Sequence, residues 1–142
     1  YPAVITPFDA DGEVDVAKLE NYINYLCDKV DGLFVGGSYG SGPIMTVAQR
    51  KTLAEVTIKT CASRVPVIMH IGTTNLTDTI ELAQHAEKVG ADALAAVTPL
   101  LPPHPQCHQA VLRRPHQERR PACYCLQQPQ VQQLLHQRRL PR

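Results

Sequence analysis

Asp31-Gly32-Leu33-Phe34-Val35-Gly36-Gly37-Ser38-Tyr39-Gly40-Ser41-Gly42-Pro43 is the stretch on which the reading of this chain turns. Leu33–Val35 is a short run of uniformly apolar residues, as expected of a strand buried on both faces of a parallel sheet. It runs into four glycines within seven residues, which let the backbone turn sharply and approach a ligand closely. Exposed N–H groups in such a turn, with the hydroxyls of Ser38 and Tyr39, suit a small anion such as a carboxylate. A glycine-rich turn with no ligand accounts for the same residues. The stretch is not a dinucleotide fingerprint, because Gly37-x-x-Gly40 lacks the G-x-G-x-x-G order and no acid follows at the required distance. Nor is it a Walker loop, since no Gly-Lys-Ser/Thr follows.

Similar apolar runs recur at residues 3–5, 65–69 and 94–97, all read as apolar on both faces. Helical patterns lie between them. In residues 16–30, Leu19, Tyr22, Ile23, Leu26 and Val30 fall on one stripe, with Asp15 as N-cap. In residues 46–62 a looser stripe holds Val47, Ala54, Ile58 and Cys61, capped by Thr46. In residues 77–89 the stripe is Ile80, Ala83, Ala86 and Val89, with Thr77 or Asn75 as cap and Gly90 at the helix end. A period of roughly 30 residues is that of the βαβ unit, so the fold class is α/β, with about three βα units plus a fourth strand. Doubly wound sheets and (β/α)8 barrels both begin this way.

Both architectures bind ligands at the carboxyl ends of their strands. Those ends read Thr6-Pro7, the glycine-rich turn, His70-Ile71-Gly72-Thr73-Thr74 and Thr98-Pro99, a polar mouth above an apolar sheet. His70 follows a buried strand, where a hydrogen-bonded structural histidine is the ordinary reading. Glu81 and Glu87 fall on the polar side of a helix and read as solvated.

Composition changes at Pro99. Residues 1–99 hold all 8 glycines, all 5 lysines and 12 of the 13 acids, for a net charge of −5. Residues 100–142 hold 7 arginines, 9 of the 11 glutamines, 7 of the 12 prolines and one acid, for +6. The first stretch reads as one domain and the second as an irregular, low-complexity Arg/Gln/Pro-rich tail. Neither a signal peptide nor an apolar run long enough to span a membrane is visible. Five irregularly spaced cysteines fit free thiols in a reducing, cytoplasmic setting. The chain starts at Tyr1 and its first strand is very short, so a few preceding residues are expected to be missing.

Val4-Ile5-Thr6-Pro7-Phe8, Asp31-Gly32-Leu33-Phe34-Val35-Gly36-Gly37-Ser38, Arg64-Val65-Pro66-Val67-Ile68, Ala83-x-x-Ala86-Glu87-x-x-Gly90-Ala91-Asp92-Ala93 and Val97-Thr98-Pro99 together resemble the dihydrodipicolinate synthase / N-acetylneuraminate lyase family. The resemblance covers nearly all of residues 1–99. It implies the N-terminal portion of a (β/α)8 TIM barrel of about 300 residues that is tetrameric in the parent enzyme. It also implies a Schiff base between a lysine and pyruvate, used for aldol cleavage or condensation without a cofactor or metal. The family's Gly-Ser/Thr-Thr-Gly-Glu motif binds the pyruvate carboxylate, and Ser38, Tyr39 and Gly40 fall on it. Gly37 and Thr6 complete the expected substrate-binding set. Tyr39 replaces the usual second hydroxyl residue and Ser41 the usual glutamate, which argues against a standard dihydrodipicolinate synthase. Ala95-Ala96-Val97-Thr98-Pro99 leans toward the sialic-acid lyase branch.

Class I aldol chemistry needs an amine in a pocket that lowers its pKa. Lys18, Lys29, Lys51, Lys59 and Lys88 all lie on predicted helices or at their ends, where solvation explains them. The family's lysine lies on the sixth strand, and its acid/base tyrosine follows the fifth in a Tyr-Asn-x-Pro motif absent from this sequence. No catalytic residue is therefore assigned, and the chain is expected to be inactive.

The tail reads as a frameshifted version of the family's next segment. Codons permitted for Leu100-Leu101-Pro102, read one base later, allow the Tyr-Tyr pair that the family places after Thr-Pro. Codons for residues 121–130, shifted likewise, allow Leu-Pro-Val-Ile-Ala-Tyr-Asn-Asn-Pro, a fifth strand followed by the missing motif. The rival readings are weaker. Arg113-Arg114, Arg119-Arg120 and Arg138-Arg139 form a basic arm, but with only Tyr124 as an aromatic and no lysine it makes a poor nucleic-acid binder. His104, Cys107, His108, Cys123 and Cys125 fit no common zinc spacing. A non-catalytic binding protein with a basic disordered arm is the alternative of a different class.

Overall fold

The computed structural model describes residues 1–96 and the backbone of Ala122–Cys125. Helices and strands alternate as α1 (Val16–Cys27), β1 (Leu33–Val35), α2 (Val47–Cys61), β2 (Val67–His70), α3 (Leu76–Val89), β3 (Ala93–Ala96) and β4 (Ala122–Cys125). A single 3-10 turn, Gly42–Ile44, lies between β1 and α2.

The strands stand in the order β1-β2-β3-β4 and every neighbouring pair is parallel. Residues 3–5 run along the free side of β1, where the Val4 N–H donates to the Phe34 carbonyl (2.8 Å) and the Phe34 N–H to the Pro2 carbonyl (3.0 Å). Spatial order thus follows chain order throughout. A doubly wound sheet reverses its order at a switch point, so this topology is that of a barrel's opening strands.

Residues 3–5 differ from the two-sided strand expected of them. Their pairing is one bridge, Ala3 to Phe34, and Ile5 is 55% exposed. The pleat explains the difference. Leu33, Val35, Val67 and Met69 are buried in one core with Leu19, Ile23, Leu53 and Leu82 of the three helices. Phe34 and Ile68, on the opposite face of the same strands, are only half-buried. Helices cover one side of the sheet, and an edge residue on the other side stays in solvent. β4 lies within the stretch read as an irregular tail and pairs with β3 over four residues, Ala93 to Ala122 through Ala96 to Cys125. The rest of that tail falls outside the described residues.

Local chemistry sets the helix ends. Asp15 accepts from the Lys18 N–H and starts α1. Thr46 and Gln49 form a reciprocal capping box at α2. Asn75, rather than Thr77, caps α3, and Gly90 ends it in the left-handed region at φ +96°. The α1 stripe buries Leu19, Ile23, Leu26 and Cys27, and the helix stops three residues short of Val30. Two other stripes are rotated from the sequence expectation. α2 buries Arg50, Leu53, Ala54, Thr57 and Cys61, leaving Val47 and Ile58 half-covered. α3 buries Thr79, Leu82 and Ala86 and leaves Ile80 exposed. In both, a polar side chain takes an inward position that apolar periodicity does not assign to it: Arg50 through carbonyls at the end of β2, Thr79 through Thr73 and Asn75 beside it. The α3–β3 connection is fixed by Asp92, whose side chain accepts from the Val67 N–H (2.8 Å) while its own N–H donates to the Val67 carbonyl (3.1 Å).

Candidate active site

β1 ends at Val35, and Gly36 turns the chain with φ +73°. The Gly40 and Gly42 N–H groups both donate to the Gly37 carbonyl (3.0 Å each), and the Ser41 N–H to that of Ser38 (3.1 Å). This coil is too tight for side chains at two positions. A Cβ on Gly42 would lie 1.8 Å from the Gly36 carbonyl oxygen, and one on Gly40 would lie 2.6 Å from that of Val4.

The five residues assigned to substrate binding divide within this turn. Gly37 and Gly40 are buried and shape it. Thr6 is also buried, and its hydroxyl donates to the Gly40 carbonyl (2.7 Å), so it braces the turn from the end of the first strand-like segment. Ser38 and Tyr39 sit at the tip, with Tyr39 83% exposed. Among the described residues, nothing accepts from the Ser38 or Tyr39 N–H. The turn therefore offers two adjacent N–H donors and a serine hydroxyl, a set suited to a carboxylate.

Beside it, the carboxyl end of β2 is built from side chains. Arg50 reaches from α2 and is 4% exposed. One guanidinium nitrogen donates to the Gly72 carbonyl (2.9 Å), and the other donates to the His70 carbonyl and lies 3.4 Å from His70 Nδ1. No carboxylate partners it among the described residues, so two backbone carbonyls and the neutral imidazole hold the buried cation, and burial pulls its pKa down. Burial first, and then the Arg50 charge, push the His70 pKa down to about 4, against a small opposing effect of the Gly36 backbone. His70 is therefore neutral at pH 7. Its ring also packs at a tilt against Phe34, with centroids 6.1 Å apart. Thr73, Asn75 and Thr79 then lock the loop into α3: the Thr73 N–H donates to the Thr79 hydroxyl (3.2 Å), which donates to the Asn75 carbonyl (3.1 Å).

Arg50 is the residue that sequence reasoning missed. Its signal was its place three residues before Leu53 and four before Ala54, on the buried stripe. No lysine occupies a strand end among the described residues. Lys18 pairs with Asp15 (2.8 Å), Lys51 with Glu81 (2.6 Å), and Lys29, Lys59 and Lys88 are exposed. Glu81 is thus ion-paired at the surface. The cysteines and histidines weighed for zinc lie outside the described residues, apart from the backbone of Cys123 and Cys125.

Residues 1–109 match the model of the dihydrodipicolinate synthetase family. The chain belongs to that family. Over 98 residues it is 42% identical to 4-hydroxy-tetrahydrodipicolinate synthase of Brucella abortus, covering 68% of this chain and 33% of the relative. Against the enzyme of the same name from Bacillus subtilis it is 43% identical over 98 residues, covering 68% and 34%. N-acetylneuraminate lyase of Mycoplasma synoviae superposes with a TM-score of 0.69 at 33% identity, covering 73% of this chain and 37% of that one. Sialic acid aldolase of Ruminococcus gnavus does so with 0.70 at 33% identity, covering 74% and 35%. This family member spans about a third of the length of the relatives it matches. The family match runs ten residues beyond the compositional break at Pro99. No helix among the described residues is long and apolar enough to cross a membrane.

Proposed function

We propose that this chain is the N-terminal part of a pyruvate-dependent Schiff-base lyase, most like N-acetylneuraminate lyase, and carries the carboxylate-binding portion of its site. The observation that carries the proposal is the turn from Gly36 to Gly42. It is coiled so tightly that a Cβ on Gly40 or Gly42 would strike backbone, and it leaves the Ser38 and Tyr39 N–H groups without an acceptor among the described residues. In this reading those two donors and the Ser38 hydroxyl hold the carboxylate of a 2-oxo acid, and Thr6 keeps the turn in place. Cleavage would then need an amine to attack the ketone, lose water and form an imine that accepts the electron pair of the breaking C–C bond. In this reading none of the five lysines, all on helices or at their ends, makes that attack, and the chain binds without turning over.

A condensing enzyme like dihydrodipicolinate synthase is the second reading, favoured by the 42–43% identity to such synthases. Tyr39 and Ser41, which replace the family's usual residues in the turn, weigh against it. We also propose that residues 100–142 are a frameshifted reading of the parent gene. β4 stands beside β3, where the barrel's next strand belongs.

Two experiments test this. Borohydride reduction in the presence of pyruvate is expected to leave the mass of this chain unchanged; a stable adduct on any of the five lysines would overturn the inactive reading. Sequencing the gene across codon 99 is expected to show that one base more or fewer restores Tyr-Tyr, Tyr-Asn-x-Pro and a later lysine. An intact frame ending at Arg142 would make the tail genuine and leave the lyase as ancestry alone.

A further inference from the structure

We infer that His70 is an additional ligand contact of this site, a neutral N–H donor to an oxygen of the 2-oxo acid held on the neighbouring turn. The inference rests on the carboxylate reading of that turn. It begins with position. Val35 pairs with Met69, so the next residues, Gly36 and His70, stand side by side at the carboxyl ends of two parallel strands. The spacing is close, since a Cβ on Gly36 would be 3.5 Å from the His70 carbonyl oxygen. Gly36 has no side chain of its own to set between the imidazole and the turn.

The tautomer follows from Arg50. A guanidinium has only donors, and its Nη2 lies 3.4 Å from His70 Nδ1, so Nδ1 is the acceptor and the proton sits on Nε2. That Nε2 is buried and makes no hydrogen bond of ordinary geometry among the described residues, although the Gly36 backbone lies close enough to favour the protonated ring. Buried N–H groups are nearly always paired, and an exception calls for a cause such as an absent ligand. Arg50 lies on the Nδ1 side of the ring, with Nη1 donating to the Gly72 carbonyl and Nη2 to the His70 carbonyl. It acts as a positioning residue, fixing the ring and its tautomer from behind. With the carboxylate taken by the Ser38 and Tyr39 amides, an uncharged N–H beside them matches a ketone or hydroxyl oxygen better than a second anion.

The test is a pyruvate titration of the full chain carrying ¹⁵N-labelled histidine and backbone, followed by NMR. The free chain is expected to show His70 as the Nε2–H tautomer. Pyruvate is expected to move that signal together with the Ser38 and Tyr39 amides. His70→Phe, which keeps an aromatic ring and removes the donor, should weaken pyruvate binding about five- to tenfold. His70→Gln, which restores an N–H at similar reach, should recover most of the loss. If the Ser38 and Tyr39 amides respond while the imidazole does not, His70 is structural and the carboxylate reading stands. An Nδ1–H tautomer in the free chain would also overturn the assignment. If neither the amides nor the imidazole respond, the carboxylate reading falls as well.

Discussion

The carboxyl ends of β1 and β2 stand next to each other and are made in opposite ways. After β1 the chain builds its surface from backbone: glycines too crowded for a Cβ, N–H groups at the tip, and the Ser38 and Tyr39 side chains turned to solvent. After β2 it builds from buried side chains: a guanidinium with no carboxylate partner among the described residues, an imidazole beside it, and a threonine pair locking the loop. The first end has conformation but little fixed charge. The second has a full positive charge, spent on carbonyls rather than offered to solvent. Together they give a mouth with shape from one strand and polarity from the next.

Substitutions can break this contrast, and the largest effect belongs to the buried cation. Arg50→Met keeps the length of the stem but leaves the His70 and Gly72 carbonyls without their donors. A loss of about 3 to 4 kcal/mol is expected in urea unfolding. Arg50→Lys should restore little of it, because one ammonium does not reproduce the two-pronged fork. A change under about 1 kcal/mol would mean that the carbonyls do not depend on Arg50.

The matching probe of the backbone-built end is Gly42→Ala, whose Cβ cannot coexist with the Gly36 carbonyl. The chain must shift, at an expected cost of about 3 kcal/mol. Ser38→Ala in the same turn should cost less than about 0.5 kcal/mol, since that side chain is exposed. Equal effects at the two positions would erase the distinction between shaping and presenting residues.

The third probe is pH. The folded pKa of His70 is about 4, below its ordinary 6.5. Between these values the unfolded chain binds a proton that the folded chain refuses. His70 therefore contributes full stability above about pH 6.5, and that contribution is lost as pH falls through 4, by about 3 kcal/mol in all. His70→Phe should flatten this part of the stability profile. A profile that keeps its slope in the variant would place the acid sensitivity elsewhere. A smaller effect than these is expected at the brace between the first segment and the turn. Thr6→Val leaves the Gly40 carbonyl without its donor and should lower stability by about 1 to 2 kcal/mol, read in the same urea titration.

The fold was legible because its signals are local and mutually consistent. Asp15, Thr46 and Gly90 mark helix ends by chemistry that acts within a few residues, and the apolar runs of β1, β2 and β3 name themselves. The glycine turn was legible too, since only close backbone approach demands so many glycines. Arg50 was not. Apolar periodicity assigns charged residues outward, and the partners that draw this one inward are carbonyls twenty and more residues away in sequence. Thr79 rotated the α3 stripe for a similar reason, through its bond to Thr73. Residues 3–5 failed in the other direction: an apolar run states which residues avoid water, but not whether a second layer exists to cover both faces.

The most direct test of the central claim is equilibrium dialysis of labelled pyruvate against the full chain. Saturable binding of one pyruvate per chain is expected, unaffected by borohydride and lost in a Gly40→Val chain that remains helical by circular dichroism. Retention no greater than for an uncharged control solute, or binding undiminished by Gly40→Val, would contradict the assignment of the turn between β1 and α2 as the carboxylate site.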